Sequence, residues 1–236
     1  MGYYRGERLV ADVYVLHSRP YRDTSAIVTS FSEDYGRIDF VAKGIRAKKN
    51  AKIALLQPFT PLCIEVSGNN ELKNLVKVEA KGITISLQDK HLYSALYANE
   101  LLVRLLPVEL SYPAIYERYR DILSAFYQQH PIEPILRDFE CLLLDEFGYG
   151  VEFHYDAHSG LPVEADQYYT YDPEQGVVLC EPVYQNAISG KILLDIAQRV
   201  WNEDSLKVAK YINRIAMKVL LGTKPLKSRD LFNKRP

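Results

Sequence analysis

The chain has 236 residues, ordinary apolar and charged fractions of 47% and 25%, and a formal net charge of −1, which leaves room for one large or two to three small domains and makes a disordered chain the wrong default. Its three well-separated cysteines, Cys63, Cys141 and Cys180, build neither a disulfide framework nor a complete zinc frame; with no apolar signal core and no apolar run near the ~18–20 residues that cross a bilayer, a cytoplasmic protein is expected. The near-neutral total conceals blocks, because residues 1–82 carry 13 basic and 9 acidic side chains, residues 83–190 carry 5 and 17, and residues 191–236 carry 11 and 4, so polyanion contact is expected at the two ends.

The first stretch, residues 1–82, reads as strands. "LVADVYVLH" and "SAIVTSF" are rich in β-branched and aromatic residues, and "GRIDFVA" alternates Ile38 and Phe40 with Arg37 and Asp39. Gly36 supplies the turn residue in "SEDYG". "FTPLCIEVS" and "LKNLVKVEAKGI", joined by the turn-rich "GNNE", complete a set of five. Five short strands without a helix predict a small closed barrel of the OB-fold type. The 18 tyrosines suit half-buried sheets and binding surfaces alike.

Helical spacing takes over in residues 83–147. Leu92, Leu96, Leu102 and Leu105 mark one helix ended by Pro107; Ser111 with Pro113 starts a second, with Ile115, Tyr119, Ile122 and Phe126 inward; "EPILRDFECLLLDEFG" gives a third stopped by Gly148. Short links predict an antiparallel bundle. Residues 148–183 are turn-rich, aromatic and short-stranded. Helices return over 184–236, packing on the helical domain. In the last long one Lys207, Lys210, Arg214 and Lys218 share a stripe, with Val208, Ile212, Ile215 and Val219 on a neighbouring face. The tail adds Lys224, Lys227 and Arg229. The fold class expected is α+β and multidomain.

Catalytic patterns are missing. "ISGKI" lacks the glycine spacing and the hydroxyl residue of a phosphate-cradling loop, and no nucleophile elbow occurs. His154 and His158 have the spacing of a helical metal pair, but Gly148, Gly150 and Gly160 argue against a helix there. The acidic middle block leaves a metal-dependent nuclease as an alternative, although its carboxylates fall at positions that read as solvated helix faces. A protein-only adaptor gripping acidic partners is the other. The favoured reading is a nucleic-acid-binding protein with no catalytic site, no metal and no cofactor. Its candidate phosphate-contacting surface, which becomes the candidate DNA surface under the family resemblance below, is Arg19, Arg22, Arg37, Lys43, Arg46, Lys48, Lys49 and Lys52. Arg19 and Arg22 sit in the expected link between the first two strands, with Tyr21 between them. Cations hold the sugar-phosphate backbone and interleaved aromatics stack on exposed bases. Lys207, Lys210, Arg214, Lys218, Lys224, Lys227 and Arg229 form a second basic area for a polyanion, which the resemblance below reads as DNA or an acidic protein tail.

"YVLHSRPYRDTSAIVTSFSEDYGRIDFVAKGIRAKK", "LQPFTPL", "ANELLVRLL", "RDFECLLLDEFGYG" and "GTKPLKSRDLF" stand in order from about residue 8 to about residue 232. Together they resemble the RecO family of bacterial recombination mediators. The resemblance implies an N-terminal OB-fold, a helical domain and a small ribbon that in many members binds zinc through four cysteines. It further implies binding of single- and double-stranded DNA, annealing of complementary strands, and contact with the acidic C-terminal tail of single-stranded DNA-binding protein. Joint action with RecR in loading RecA, at the nucleoid, belongs to the same expectation. Aligned on the family's ligand positions, this chain offers Asp156, Ser159, Cys180 and Val183, so a metal-free ribbon is expected, filled by Tyr155, Tyr168, Tyr169 and Tyr171.

Overall fold

The computed structural model describes residues 8–45 and 51–233. Five strands, β1 (Arg8–Tyr21), β2 (Ser25–Ser32), β3 (Gly36–Ala42), β4 (Pro61–Ser67) and β5 (Leu72–Ala80), close into a barrel in the order β1-β2-β3-β5-β4. Every neighbouring pair is antiparallel except β3–β5, which closes the barrel over Asp39↔Leu72, Phe40↔Lys73 and Val41↔Asn74. The period-2 pattern explains the closure. Leu9, Ala11, Val13 and Val15 of β1 point inward with Ile38 and Phe40 of β3 and Leu62, Ile64 and Val66 of β4.

β1 is longer than its apolar pattern suggests and carries "HSRPY" as strand. A register shift between Val15 and His17 lets it continue alongside β2 after its pairing with β4 has ended at Tyr14. Pro20 is therefore tolerated: it pairs with Ala26 on one side only, where a strand edge needs no second ladder. Gly36 turns the next hairpin with φ +63°, and a Cβ there would lie 1.8 Å from the Leu110 carbonyl oxygen.

Two helices, α1 (Asp89–Leu105) and α2 (Pro113–Tyr127), pack with the barrel. Tyr14 and Phe31, on the outer face of β1 and β2, meet Tyr116 and Tyr119 of α2 with ring centroids 5.2–6.4 Å apart. The buried Tyr119 hydroxyl donates to Asn99 Oδ1 of α1 at 2.7 Å, and Asn99 Nδ2 donates to the Leu16 carbonyl at 2.9 Å. Ser111 does not cap α2 as expected from sequence: its hydroxyl donates to the Glu33 carbonyl at 2.5 Å, and the helix starts on Pro113 at N1.

Packing divides the chain into two compact units, Met1–His130 with Pro225–Pro236, and Pro131–Lys224. In the second unit, α3 (Ile132–Glu146), α4 (Gly190–Ala197) and α5 (Glu203–Leu221) pack with a three-stranded sheet of β6 (Tyr168–Asp172), β7 (Gly176–Cys180) and β8 (Ile188–Ser189). Its core joins Phe153, Val163, Tyr169 and Val177 to Leu193, Ile196, Ala209 and Ile212. The buried stripe of α5 runs Ser205, Ala209, Ile212, Asn213, Ala216, Met217. Val219, expected on that face, is 55% exposed, because the small Ala209 and Ala216 centre the stripe about one position away. A last short helix, α6 (Arg229–Asn233), belongs to the first unit. Among the described residues no helix is long and apolar enough to cross a membrane.

Candidate nucleic-acid interface

The parallel β3–β5 seam, the end of β3 and the β1–β2 turn surround a cleft of about 380 Å³. Tyr21, Arg22, Lys43 and Lys73 line it, with Thr24 and Gly44 beside them. The three-residue turn Arg22–Thr24 is made possible by a left-handed Arg22 at φ +52°, which places its guanidinium carbon 5.1 Å from the centroid of the Tyr21 ring. Arg19 is a strand residue of β1 paired with Ile27, not a residue of the connection as its sequence neighbourhood suggested; only Arg22 is in the turn.

What separates this end of the barrel from the rest is pairing. Arg8 bonds Glu65 at 2.8 Å, Lys77 bonds Glu79 at 2.9 Å, and Lys81 bonds Asp12, all on β1, β4 and β5 or the residue after it. Arg19, Arg22 and Lys43 are exposed, and no ion pair to them occurs among the described residues. Exposed pairs of the first kind contribute little to stability, but they cancel the local field. Arg22 and Lys43 leave it standing at the cleft, with Arg19 two residues before the cleft-lining Tyr21 and the exposed acids Asp23 and Glu71 nearby in the chain. Arg46, Lys48 and Lys49 lie outside the described residues. Lys52 falls in the 3-10 turn Ala51–Ala54.

Arg37 does not belong with this group. Its Nε and Nη2 grip Asp39 at 3.2 and 2.6 Å, and Nη1 donates at 3.0 Å to the Val103 carbonyl in the last turn of α1. Arg37 thus holds the helix to the barrel and has little left for a phosphate. Lys73, which the sequence reading overlooked, lies in the cleft wall but is buried and pairs with Glu109 at 2.5 Å. An inward lysine in the alternating pattern of β5 was its only sequence signal.

In the second unit the α5 cations Lys207, Lys210, Arg214 and Lys218 are exposed along one stripe. Lys210 reaches Glu133 at 3.9 Å. Lys224 ends the second unit, whereas Lys227 and Arg229 belong to the first. The acidic block is not uniformly solvated either: Glu140 is buried, bonded to buried Arg137 at 2.6 Å and to Asn213 Nδ2 at 3.3 Å. That pairing removes it from any exposed carboxylate cluster.

The ribbon positions do not fit a metal. Asp156, buried, accepts from the Ser159 N–H at 2.9 Å, from the Ser159 hydroxyl, and from the Leu179 N–H at 2.9 Å. Val183 has no donor atom, and the carboxylate is already occupied by hydrogen bonds that tie the 156–160 turn to β7. Of the four tyrosines expected as filler, Tyr169 is buried with its hydroxyl accepting from the Glu164 N–H at 2.9 Å, and Tyr171 packs beside it. Tyr155 and Tyr168 are exposed instead. His154 lies in a bend, its Nδ1 2.9 Å from Glu152. Among the described residues no group of three or more metal-ligating side chains occurs.

The family models for Recombination protein O match this chain, the N-terminal one over residues 8–83 and the C-terminal one over residues 90–229. A DNA repair protein RecO from Pseudoalteromonas atlantica is 46% identical over 220 residues, spanning 93% of this chain and 92% of that relative. Those from Tolumonas auensis and Haemophilus influenzae are 40% and 42% identical, with 95% and 93% of each chain covered. An OB-type barrel followed by helices and a small sheet, matched end to end by these relatives, places the chain in the RecO family of DNA repair proteins.

Proposed function

We propose that this protein is a recombination mediator that binds single- and double-stranded DNA and anneals complementary strands. In this reading the barrel cleft takes the backbone of one strand on Arg19, Arg22 and Lys43, with Arg46, Lys48, Lys49 and Lys52 extending the contact. Tyr21 offers a ring on which a base stacks. The observation that carries the reading is the contrast in pairing: among the described residues Arg8, Arg37, Lys73, Lys77 and Lys81 each pair with a carboxylate, and no ion pair to Arg19, Arg22 or Lys43 occurs. Annealing then needs no bond-making residue. A cationic surface holding two strands lowers the repulsion that keeps them apart.

The α5 stripe, Lys207 to Lys218, is the proposed second area, receiving either a further DNA segment or the acidic C-terminal tail of single-stranded DNA-binding protein. Cooperation with RecR to load RecA, in the cytoplasm at the nucleoid, completes the role that family membership supports. The test is a strand-annealing assay on labelled complementary oligonucleotides with magnesium present. Faster annealing without scission, lost in Arg22→Ala/Lys43→Ala, supports the reading. Scission of the strands, or annealing indifferent to those changes, overturns it.

A further inference from the structure

The C-terminal segment returns to the first unit and is fastened there. Leu226 is buried, and the Glu100 carboxylate of α1 accepts three bonds from the segment: Lys227 N–H at 2.9 Å, Ser228 N–H at 2.8 Å and the Ser228 hydroxyl at 2.6 Å. Phe232 adds an edge-on contact to Tyr93, centroids 5.8 Å apart. One residue before Glu100, Asn99 donates to the Leu16 carbonyl of β1. α1 is thereby tied to β1 beside His17 and to the tail at Lys227, so the charge of Lys227 comes within range of His17.

We infer that this fastening makes Lys227 part of the barrel's nucleic-acid surface: His17 and Arg19 of β1 together with Lys227 of the tail form a composite contact for one backbone phosphate, adjoining the cleft through the β1–β2 hairpin. The inference rests on the DNA-binding reading of the cleft and adds to it a contact that strand order alone does not bring near. Glu100 is the acid that acts on His17, and Asp230 of α6 lies close to Lys227, its N–H donating to the Lys227 carbonyl at 3.1 Å. The Glu100 oxygens are engaged by the tail's N–H and O–H groups, which leaves the Lys227 ammonium for an outside anion.

His17 gives the composite contact a titrating group. The ring is exposed by area, yet partial desolvation lowers its pKa, and Arg19 and Lys227 lower it further; Glu100 acts weakly the other way. A phosphate between those cations reverses their effect, so binding draws a proton onto the imidazole.

The test titrates the full-length protein with oligo-dT over a range of salt, for Lys227→Ala, Glu100→Ala and the double variant, with Arg22→Ala/Lys43→Ala in parallel. Losing one phosphate contact lowers the log–log salt slope by about 0.7. Lys227→Ala is expected to show that loss in the native background and none when Glu100 is already alanine, and Lys227→Arg is expected to retain the native slope. An NMR titration of the His17 ring, which does not depend on the variants folding, is expected to show its pKa rising on oligonucleotide binding. An unchanged slope in Lys227→Ala while Arg22→Ala/Lys43→Ala weakens binding overturns the composite site and leaves the cleft reading intact. A Lys227→Ala loss of equal size with and without Glu100, or a His17 pKa indifferent to DNA, also overturns it. No effect of any variant overturns both.

Discussion

Asp156→Ala should loosen the ribbon without disturbing the barrel. The carboxylate takes three hydrogen bonds, from the Ser159 N–H and hydroxyl and the Leu179 N–H, across 23 residues of chain. A hydrogen bond to a charged acceptor contributes about 1.5–3 kcal/mol, but the three share one group and the turn is open to water, so a total near 2–3 kcal/mol is expected rather than their sum. If the ribbon opens as a local unit, amide exchange at Leu179 should speed up by about 30- to 150-fold, tenfold for each 1.4 kcal/mol. Hydrogen–deuterium exchange resolved by residue reads this directly. Burial raises the Asp156 carboxyl, but the Ser159 hydroxyl and the backbone N–H groups of Leu179, Ser159 and His158 outweigh it, leaving the pKa below its ordinary 3.8. A carboxyl lowered by folding stabilises the native state above its unfolded pKa and loses that contribution as pH falls through the native one. The native ribbon should therefore hold through mild acid and loosen only below the ordinary carboxylate range. Unchanged exchange at Leu179 in Asp156→Ala would refute the staple.

Two further outcomes follow from the same geometry. Arg37→Ala should lower the urea-unfolding stability by roughly 2–3 kcal/mol, through loss of a charged pair and a bond to the α1 carbonyl, while single-stranded DNA affinity stays the same. An affinity loss at constant stability would return Arg37 to the DNA surface. Gly36→Ala combines a left-handed φ of +63° with a Cβ 1.8 Å from the Leu110 oxygen, and should cost more than about 2 kcal/mol in the same assay; a near-neutral result would mean the α1–α2 link does not sit against this turn.

The barrel was legible because its signal is local: alternation along β1, β3 and β4, and a glycine at the β2–β3 turn, state their own structure. The extension of β1 through "HSRPY" was not. Its polar residues face solvent in a hairpin, and Pro20 survives only because one side of the strand is unpaired, a fact of sheet order. Arg37 misled for a related reason, since its carbonyl partner lies 66 residues away. The candidate cleft was half visible: Arg22 and Lys43 belong to cationic stretches that the β2–β3 hairpin brings to one end, but the opposite wall, Leu72 to Asn74, depends on a parallel β3–β5 pair that no hairpin signal announces. The tail's attachment was hidden further still. Glu100 reads as an ordinary helix acid, and only the folded chain brings Ser228, 128 residues on, into its reach.

On the DNA-binding reading the cations at the cleft end of the barrel, without ion pairs among the described residues, hold single-stranded DNA by its phosphates. The most direct test is the salt dependence of oligo-dT binding by the unaltered protein and by Arg19→Ala/Arg22→Ala/Lys43→Ala. With about five phosphates engaged, log K should fall against log salt with a slope of roughly −3.5, and removing three contacts should reduce its magnitude by about 2. A slope near zero in the unaltered protein, or the full slope in the triple variant, would contradict the account.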